Sequence, residues 1–248
     1  MKRHLVAVLA VPALFTAASV FAVEVKMNGA TTVVDRVIAP HKAAVEKATG
    51  NTLSIIGNAT GRGLVDLMDG KCDAALVSEP MEIAADAAKA AGKEVDLKKL
   101  QMHVIAHDEI VFVTHKSNPV KSLTWQQIKD IHTGKISNWK DVGGKDMPIT
   151  VFTDALTGGT RAMIKSIVLE GQEYGDASKP QPSVKKAGEL VGATEGGFAG
   201  IGKGFAEADK VTIVQTKKLE RPLAFVTVGA PSPKVAKVIV AFKSEAKK

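Results

Sequence analysis

Three times along the chain a strand-like stretch runs into a short glycine- and threonine-rich turn and then into residues with helical hydrophobic spacing. The turns are Gly29-Ala30-Thr31-Thr32, Thr60-Gly61-Arg62-Gly63 and Thr157-Gly158-Gly159-Thr160-Arg161. Strand, turn, helix and strand in repeated order build a parallel sheet with crossover helices, which narrows the fold to an α/β architecture. The same turns carry a chemistry. A helix start leaves backbone N–H groups without intrahelical partners and bears the positive end of the helix dipole, and small residues let an anion approach that backbone. Threonine hydroxyls add donors. Each turn taken alone is equally an ordinary N-cap, because threonine caps helices well and glycine is common in turns. Three in one chain point to a shared cradle for a small oxyanion.

The elements around the turns follow from periodicity. Residues 23–27 alternate apolar and polar as a strand does. From Thr32 a helical face of Val33, Val37, Ile38, His41, Ala44, Val45 and Ala48 runs to Gly50, a C-cap residue. A second strand at 52–56 leads to a helix marked by Leu64, Leu67 and Met68 and stopped at Gly70. Residues 72–77 read as a third strand, buried on both faces except at Asp73, and 83–91 as an alanine-rich helix ending near Gly92. Two strands, 102–106 and 110–114, are expected to flank His107-Asp108-Glu109. Thr124 and Gln127 have capping-box spacing, 149–152 feeds the third turn, and Met163, Ile164, Ile167 and Val168 mark the helix after it. Residues 171–182 read as loop. Residues 196–202 hold too many glycines for a regular strand throughout, and suit either a close backbone approach or a flexible linker. A strand at 221–228 and a helix opened by Ser232-Pro233, packed through Val235, Val238, Ile239 and Phe242, complete the chain.

The N-terminus sets the expected destination. Lys2, Arg3 and His4, an apolar run over 5–15 and small residues ending in Val20-Phe21-Ala22 have the three regions of a signal peptide cleaved after Ala22. The run falls short of the roughly 18 to 20 apolar residues of a membrane span. No cysteine stands at the cleavage site for a lipid anchor, and the single Cys72 forbids an intrachain disulfide. The expectation is a soluble periplasmic protein with Cys72 as a buried apolar residue. A net charge of +7 suits an anionic ligand. Scattered basic residues and only 4% aromatic content, with Tyr174 the one tyrosine, argue against nucleic acid. No paired carboxylates, nucleophile motif or metal-ligand cluster supports an enzyme or a cofactor, and the strand-like sequence around His103 and His107, rather than a helix, weakens a metal site there.

The order of motifs resembles the phosphate-binding proteins of ABC transporters. It is carried by Thr60-Gly61-Arg62-Gly63-Leu64, Asp73-Ala74-Ala75-Leu76-Val77-Ser78, Asn118-Pro119-Val120 with Leu123-Thr124, Gly159-Thr160-Arg161 and Arg221-Pro222-Leu223. Ile131-His132-Thr133-Gly134-Lys135-Ile136-Ser137-Asn138-Trp139 is the most specific stretch. The resemblance implies a two-lobed, type II periplasmic-binding-protein fold, each lobe a mainly parallel sheet flanked by helices with the ligand cleft between. Lobe I would be residues 23–107 plus 219–248 and lobe II 108–218, with crossing segments near 103–114 and 219–228. It implies phosphate or a related oxyanion as ligand, an ABC permease in the inner membrane as partner, and a monomeric receptor. Thr31, Thr32, Thr60, Gly61, Gly158, Gly159 and Thr160 would touch the anion. Asp73 matches the family aspartate that accepts a hydrogen bond from protonated phosphate and so rejects sulfate; its alternative is a cap at a strand start. The third turn departs from the pattern: Gly158 replaces a serine and Asp154 an arginine. Arg62 and Arg161 are candidate replacement cations, Arg62 the better placed inside its turn, and either is otherwise a solvated helix-start arginine. The departure keeps open a second function, a sensory or assembly module that has lost high-affinity anion uptake.

Overall fold

The structure, a computed structural model, describes residues 23–247; the expected signal peptide lies outside them. β1 (Val23–Gly29) ends on buried Met27, Asn28 and Gly29 and passes into α1 (Thr31–Val33), a π-helical turn at Val34–Ile38 and α2 (Ala39–Thr49). Pro40, without an N–H and with a ring that crowds the preceding turn, sits where the π turn ends. The extra residue of that turn rotates the downstream face. Val37, Ile38 and Val45 are buried as expected, whereas Ala44 and Ala48 face solvent. Gly50, at φ 69°, closes the helix.

β2 (Asn51–Gly57), α3 (Thr60–Met68), β3 (Ala74–Val77) and α4 (Met81–Ala90) follow. β3 is shorter than expected, leaving Cys72 and Asp73 ahead of it. Cys72 is buried, and burial pushes its thiol up to about 11. β4 (Leu100–His115) is one strand where two were expected. A register shift between Val104 and Ala106 keeps it paired, and its polar middle is accommodated because Asp108 and Glu109 both find cations.

α5 (Trp125–His132) carries the capping box: the Gln127 N–H donates to Thr124 Oγ1 at 3.1 Å and the Thr124 N–H to Gln127 Oε1 at 2.8 Å. β5 (Thr150–Thr153), α6 (Gly159–Met163) with a π turn at Ile164–Val168, and β6 (Lys179–Pro180) come next. α7 (Val184–Gly192) gives little sequence signal, its period diluted by Gly188 and Gly192. β7 (Gly197–Gly202) is a regular, wholly buried strand despite its glycines. A Cβ at Gly200 would lie 2.4 Å from Ile164 Cδ1, so the glycine answers to close packing rather than to a linker. β8 (Val211–Ile213), β9 (Leu219–Val228) and α8 (Pro233–Glu245) end the fold, with Val235, Val238, Ile239 and Phe242 buried as read.

The fold is two-lobed α/β. The strands run in the order β2-β1-β3-β9-β4-β7-β5-β6, with β8 beside β4. β1 pairs parallel with β2 and β3, and β5 parallel with β6 and β7. The central β4 and β9 run antiparallel to their neighbours. β4 pairs with β9 from Leu100 to Ile110 and with β7 from Ile110 to Thr114, so the two strands join the ends of the sheet. Separate apolar clusters lie on either side. One gathers Met27, Val37, Val45, Phe225 and Phe242; another gathers Phe112, Ile128, Trp139, Ile164 and Phe198. In the second, His132 is enclosed edge-on by Phe112, Phe198 and Tyr174, donates from Nδ1 to the Ile128 carbonyl (2.9 Å), and is pushed down to about 4 by burial.

Candidate anion-binding site

The three turns begin helices, as their composition predicts: α1 at Thr31, α3 at Thr60 and α6 at Gly159. The first two lie at one edge of the sheet, because Gly29 stands in parallel register with both Gly57 and Leu76. Asp66, one turn and a half into α3, accepts from the Asn28 and Asn58 side-chain amides, each at 2.8 Å, and ties those two strand ends together. The second and third turns are joined directly: the Gly61 N–H donates to the Thr157 carbonyl at 3.1 Å. Thr60, Gly61, Gly158, Gly159 and Thr160 are all buried at this junction. Thr32 is buried and Thr31 half-buried at the head of α1.

A carboxylate that the sequence reading missed lies between the turns. Glu79, in the segment linking β3 to α4, is fully buried. Its Oε2 accepts from Thr60 Oγ1 (3.2 Å), the Ser78 N–H (3.0 Å) and Ser78 Oγ (3.0 Å). Across the junction it rests on the third turn, where a Cβ at Gly159 would come within 1.7 Å of Oε2. Oε1 has no hydrogen-bond partner. Burial pushes the carboxyl up to about 7, against the lowering effect of Ser78, Thr60 and Arg221.

The cation of the site also comes from an unexpected place. Arg221 stands opposite Asp108 in the β4–β9 register, 1% exposed, and its Nε and Nη2 donate to Asp108 Oδ2 at 3.1 and 2.8 Å. Its Nη1 reaches Thr160 Oγ1 at 2.7 Å. Gly202 of β7 leaves room for this pair; a Cβ there would lie 2.7 Å from Asp108 Oδ2 and 2.8 Å from Arg221 Nη2. In the sequence Arg221 stood only within the strand motif Arg221-Pro222-Leu223, and no residue near it marked it as the cation of a site.

Three of the expected residues lie away from this junction. Asp73 is at the opposite end of β3 from the turns, where its Oδ2 accepts from the Lys26 N–H (2.9 Å) and Lys234 Nζ (2.8 Å). It is the strand-start cap, and five residues, the four of β3 and then Ser78, separate it from Glu79. Arg62 is exposed on the outer face of α3, because the first turn of that helix buries Thr60, Gly61 and Gly63 and turns position 62 outward. Arg161 points away from the junction: its guanidinium lies 3.9 Å from the Tyr174 ring centroid and Nη1 donates to Thr153 Oγ1 at 2.6 Å. Asp154, in contrast, does turn inward. It is buried against Gly158, its Oδ1 accepts from the Ala155 N–H at 2.9 Å, the Thr160 N–H also donates to it, and burial pushes it up to about 6. Among the described residues no three metal-ligating side chains gather.

The arrangement is a set of hydroxyl and N–H donors around a buried carboxylate with one free oxygen, closed by a hydrogen bond between two turns. A sequence model of the PBP superfamily domain matches residues 17–243. The chain belongs to the PBP superfamily. Among PBP relatives, the phosphate-binding protein PstS of Bacillus subtilis is 27% identical over 189 residues, 75% of this chain and 59% of that protein. This PBP chain thus spans about three-fifths of the length of that curated relative. A PBP structure from Clostridium perfringens, described as a phosphate ABC transporter substrate-binding protein with bound phosphate, superposes with a TM-score of 0.76 at 28% identity, covering 88% of this chain and 92% of its own. An ABC-type phosphate transport receptor from Vibrio cholerae shares the fold, with a TM-score of 0.68 at 22% identity over 90% and 95% of the two chains.

Proposed function

We propose that this protein is an exported receptor that closes two lobes around phosphate or a related small oxyanion and delivers it to an ABC permease in the inner membrane. The observation that carries the reading is Glu79: a fully buried carboxylate with Oε1 unpartnered, held among Thr60, Ser78 and Gly159. A buried acceptor with a free oxygen is costly unless something donates to it. A protonated oxyanion donates there and accepts elsewhere, which is the role the resemblance assigned to Asp73. Thr60, Gly61, Gly158, Gly159 and Thr160 supply the surrounding contacts, Thr31 and Thr32 those from α1, and Arg221 the positive field. The chain's similarity to PstS and to a phosphate-bound PBP supports phosphate as the ligand class.

Closure follows from the lobe division: 23–107 with 219–248 on one side, 108–218 on the other, hinged through β4 and β9. Contacts such as Gly61 to Thr157 form only when the turns meet, so a ligand that binds both turns favours the closed form. Asp154 and Gly158 favour the competing reading, a PBP that senses or assembles without high-affinity uptake, since both remove a donor from the third turn. The test is equilibrium dialysis of labelled phosphate against the mature protein and two variants. Thr60→Val and Thr160→Val each weaken binding at least tenfold while the circular dichroism spectrum is unchanged. Unaltered affinity in both variants leaves the turns as helix caps only.

A further inference from the structure

Glu79 and Asp154 press against adjoining residues of one turn. A Cβ at Gly159 would lie 1.7 Å from Glu79 Oε2 and one at Gly158 would lie 2.2 Å from Asp154 Oδ2. Consecutive Cα atoms are about 3.8 Å apart, so the two buried acids share a short stretch of backbone. The positive charge near them is already committed. Arg221 acts on both acids, but its Nε and Nη2 are given to Asp108 and its Nη1 to Thr160. Arg161, the other cation whose field reaches Asp154, is stacked on Tyr174 and bonded to Thr153. The remaining groups facing Asp154 are uncharged: the Ala155 and Thr160 N–H groups, and the Tyr174 phenol, which burial holds neutral. Glu79 faces Ser78, Thr60 and Arg221, and keeps Oε1 unpartnered.

Two carboxylates and an oxyanion packed in a buried space repel one another unless protons lie between them. A singly protonated dianion has one O–H, enough for Glu79 Oε1, and would set a bare anionic oxygen against Asp154. Building on the phosphate reading, we propose that the cleft takes its oxyanion as a doubly protonated monoanion, with Asp154 beside Glu79 as a second acceptor of a ligand O–H. Starting from the dianion that dominates in solution at alkaline pH, each binding event then draws one proton from the medium, and that proton stays between ligand and carboxylate. Burial raises both acids, Glu79 to about 7 and Asp154 to about 6, so either can share the second proton.

Titration calorimetry of the mature protein with inorganic phosphate, run from pH 6 to 8.5 and at pH 8 in two buffers of different ionisation heat, tests this. The expected result is uptake of about one proton per phosphate at pH 8, an affinity falling about tenfold per pH unit above pH 7.5, and no heat from sulfate at any pH. Asp154→Asn, which offers an amide donor in place of the acid, is expected to lose most of that uptake and to bind phosphate at pH 8.5 at least tenfold more tightly than the wild type. Phosphate binding with no proton uptake and a flat pH profile overturns the second acceptor while leaving the receptor reading intact. An Asp154→Asn protein with the wild-type pH slope also overturns it. Silence from phosphate, arsenate, sulfate and molybdate at every pH overturns both. Should the variant fail to fold, proton uptake by the wild type decides alone.

Discussion

Glu79 concentrates the residue-scale argument, because one side chain is at once the least satisfied and the best enclosed acid of the site. Its carboxyl is raised from 4.5 to about 7 by burial. A raised acid stabilises the fold below its unfolded value and loses that contribution as pH climbs through the folded one. Asp154, raised from 3.8 to about 6, acts in the same direction, while His132, lowered from 6.5 to about 4, withdraws stability as pH falls below 6.5. Comparing Glu79→Gln with the wild type at each pH isolates the first contribution. Without phosphate, urea unfolding is expected to show the variant gaining on the wild type between pH 5 and 8 by on the order of 2–3 kcal/mol. A constant difference across that range would mean Glu79 is ionised in the fold throughout. That the acceptor is Glu79 was not legible in sequence. Asp73 and Glu79 bracket the same short strand, and only the register, with Gly29 level with Leu76, shows which end of it meets the turns.

At the scale of elements, the turns depend on α3 lying hard against β1. A Cβ on Gly63 would come 2.4 Å from Gly29 Cα and 2.5 Å from the Asn28 carbonyl oxygen. The residue ahead of the helix is also constrained: Ala59, at φ 74° and ψ 153°, holds a conformation that belongs to glycine and costs about 1–3 kcal/mol. Both features aim Thr60 at the junction. Gly63→Ala is therefore expected to destabilise the protein by about 1–3 kcal/mol in chemical unfolding and to weaken phosphate binding, because the helix start must move away from β1. An unchanged unfolding midpoint would show that the contact can relax without cost. These elements were legible where period and punctuation agreed, as in the capping box of α5, the glycine stop at Gly50 and the last helix. They were illegible where backbone geometry intervened. The π turn before Pro40 rotated the face of α2, and the bulge between Val104 and Ala106 carried β4 through a polar segment that reads as a break.

On the scale of the whole molecule, the paired strands β4 and β9 link the two ends of the sheet and also hold the site's cation, through Asp108 opposite Arg221. Laid on the family resemblance, the order of turns puts the first two within the expected lobe I and the third within lobe II, since order survives in sequence. The charge balance did not, because it depends on which of several acids and arginines face inward: Arg62 turns out, Arg161 turns aside, and Asp154 and Arg221 turn in. Titration calorimetry of the mature protein with phosphate and sulfate at pH 7 is the most direct measurement of the central claim. One site per chain with micromolar or tighter affinity for phosphate and no response to sulfate is the predicted result; no heat from phosphate, or sulfate bound as tightly, would contradict it.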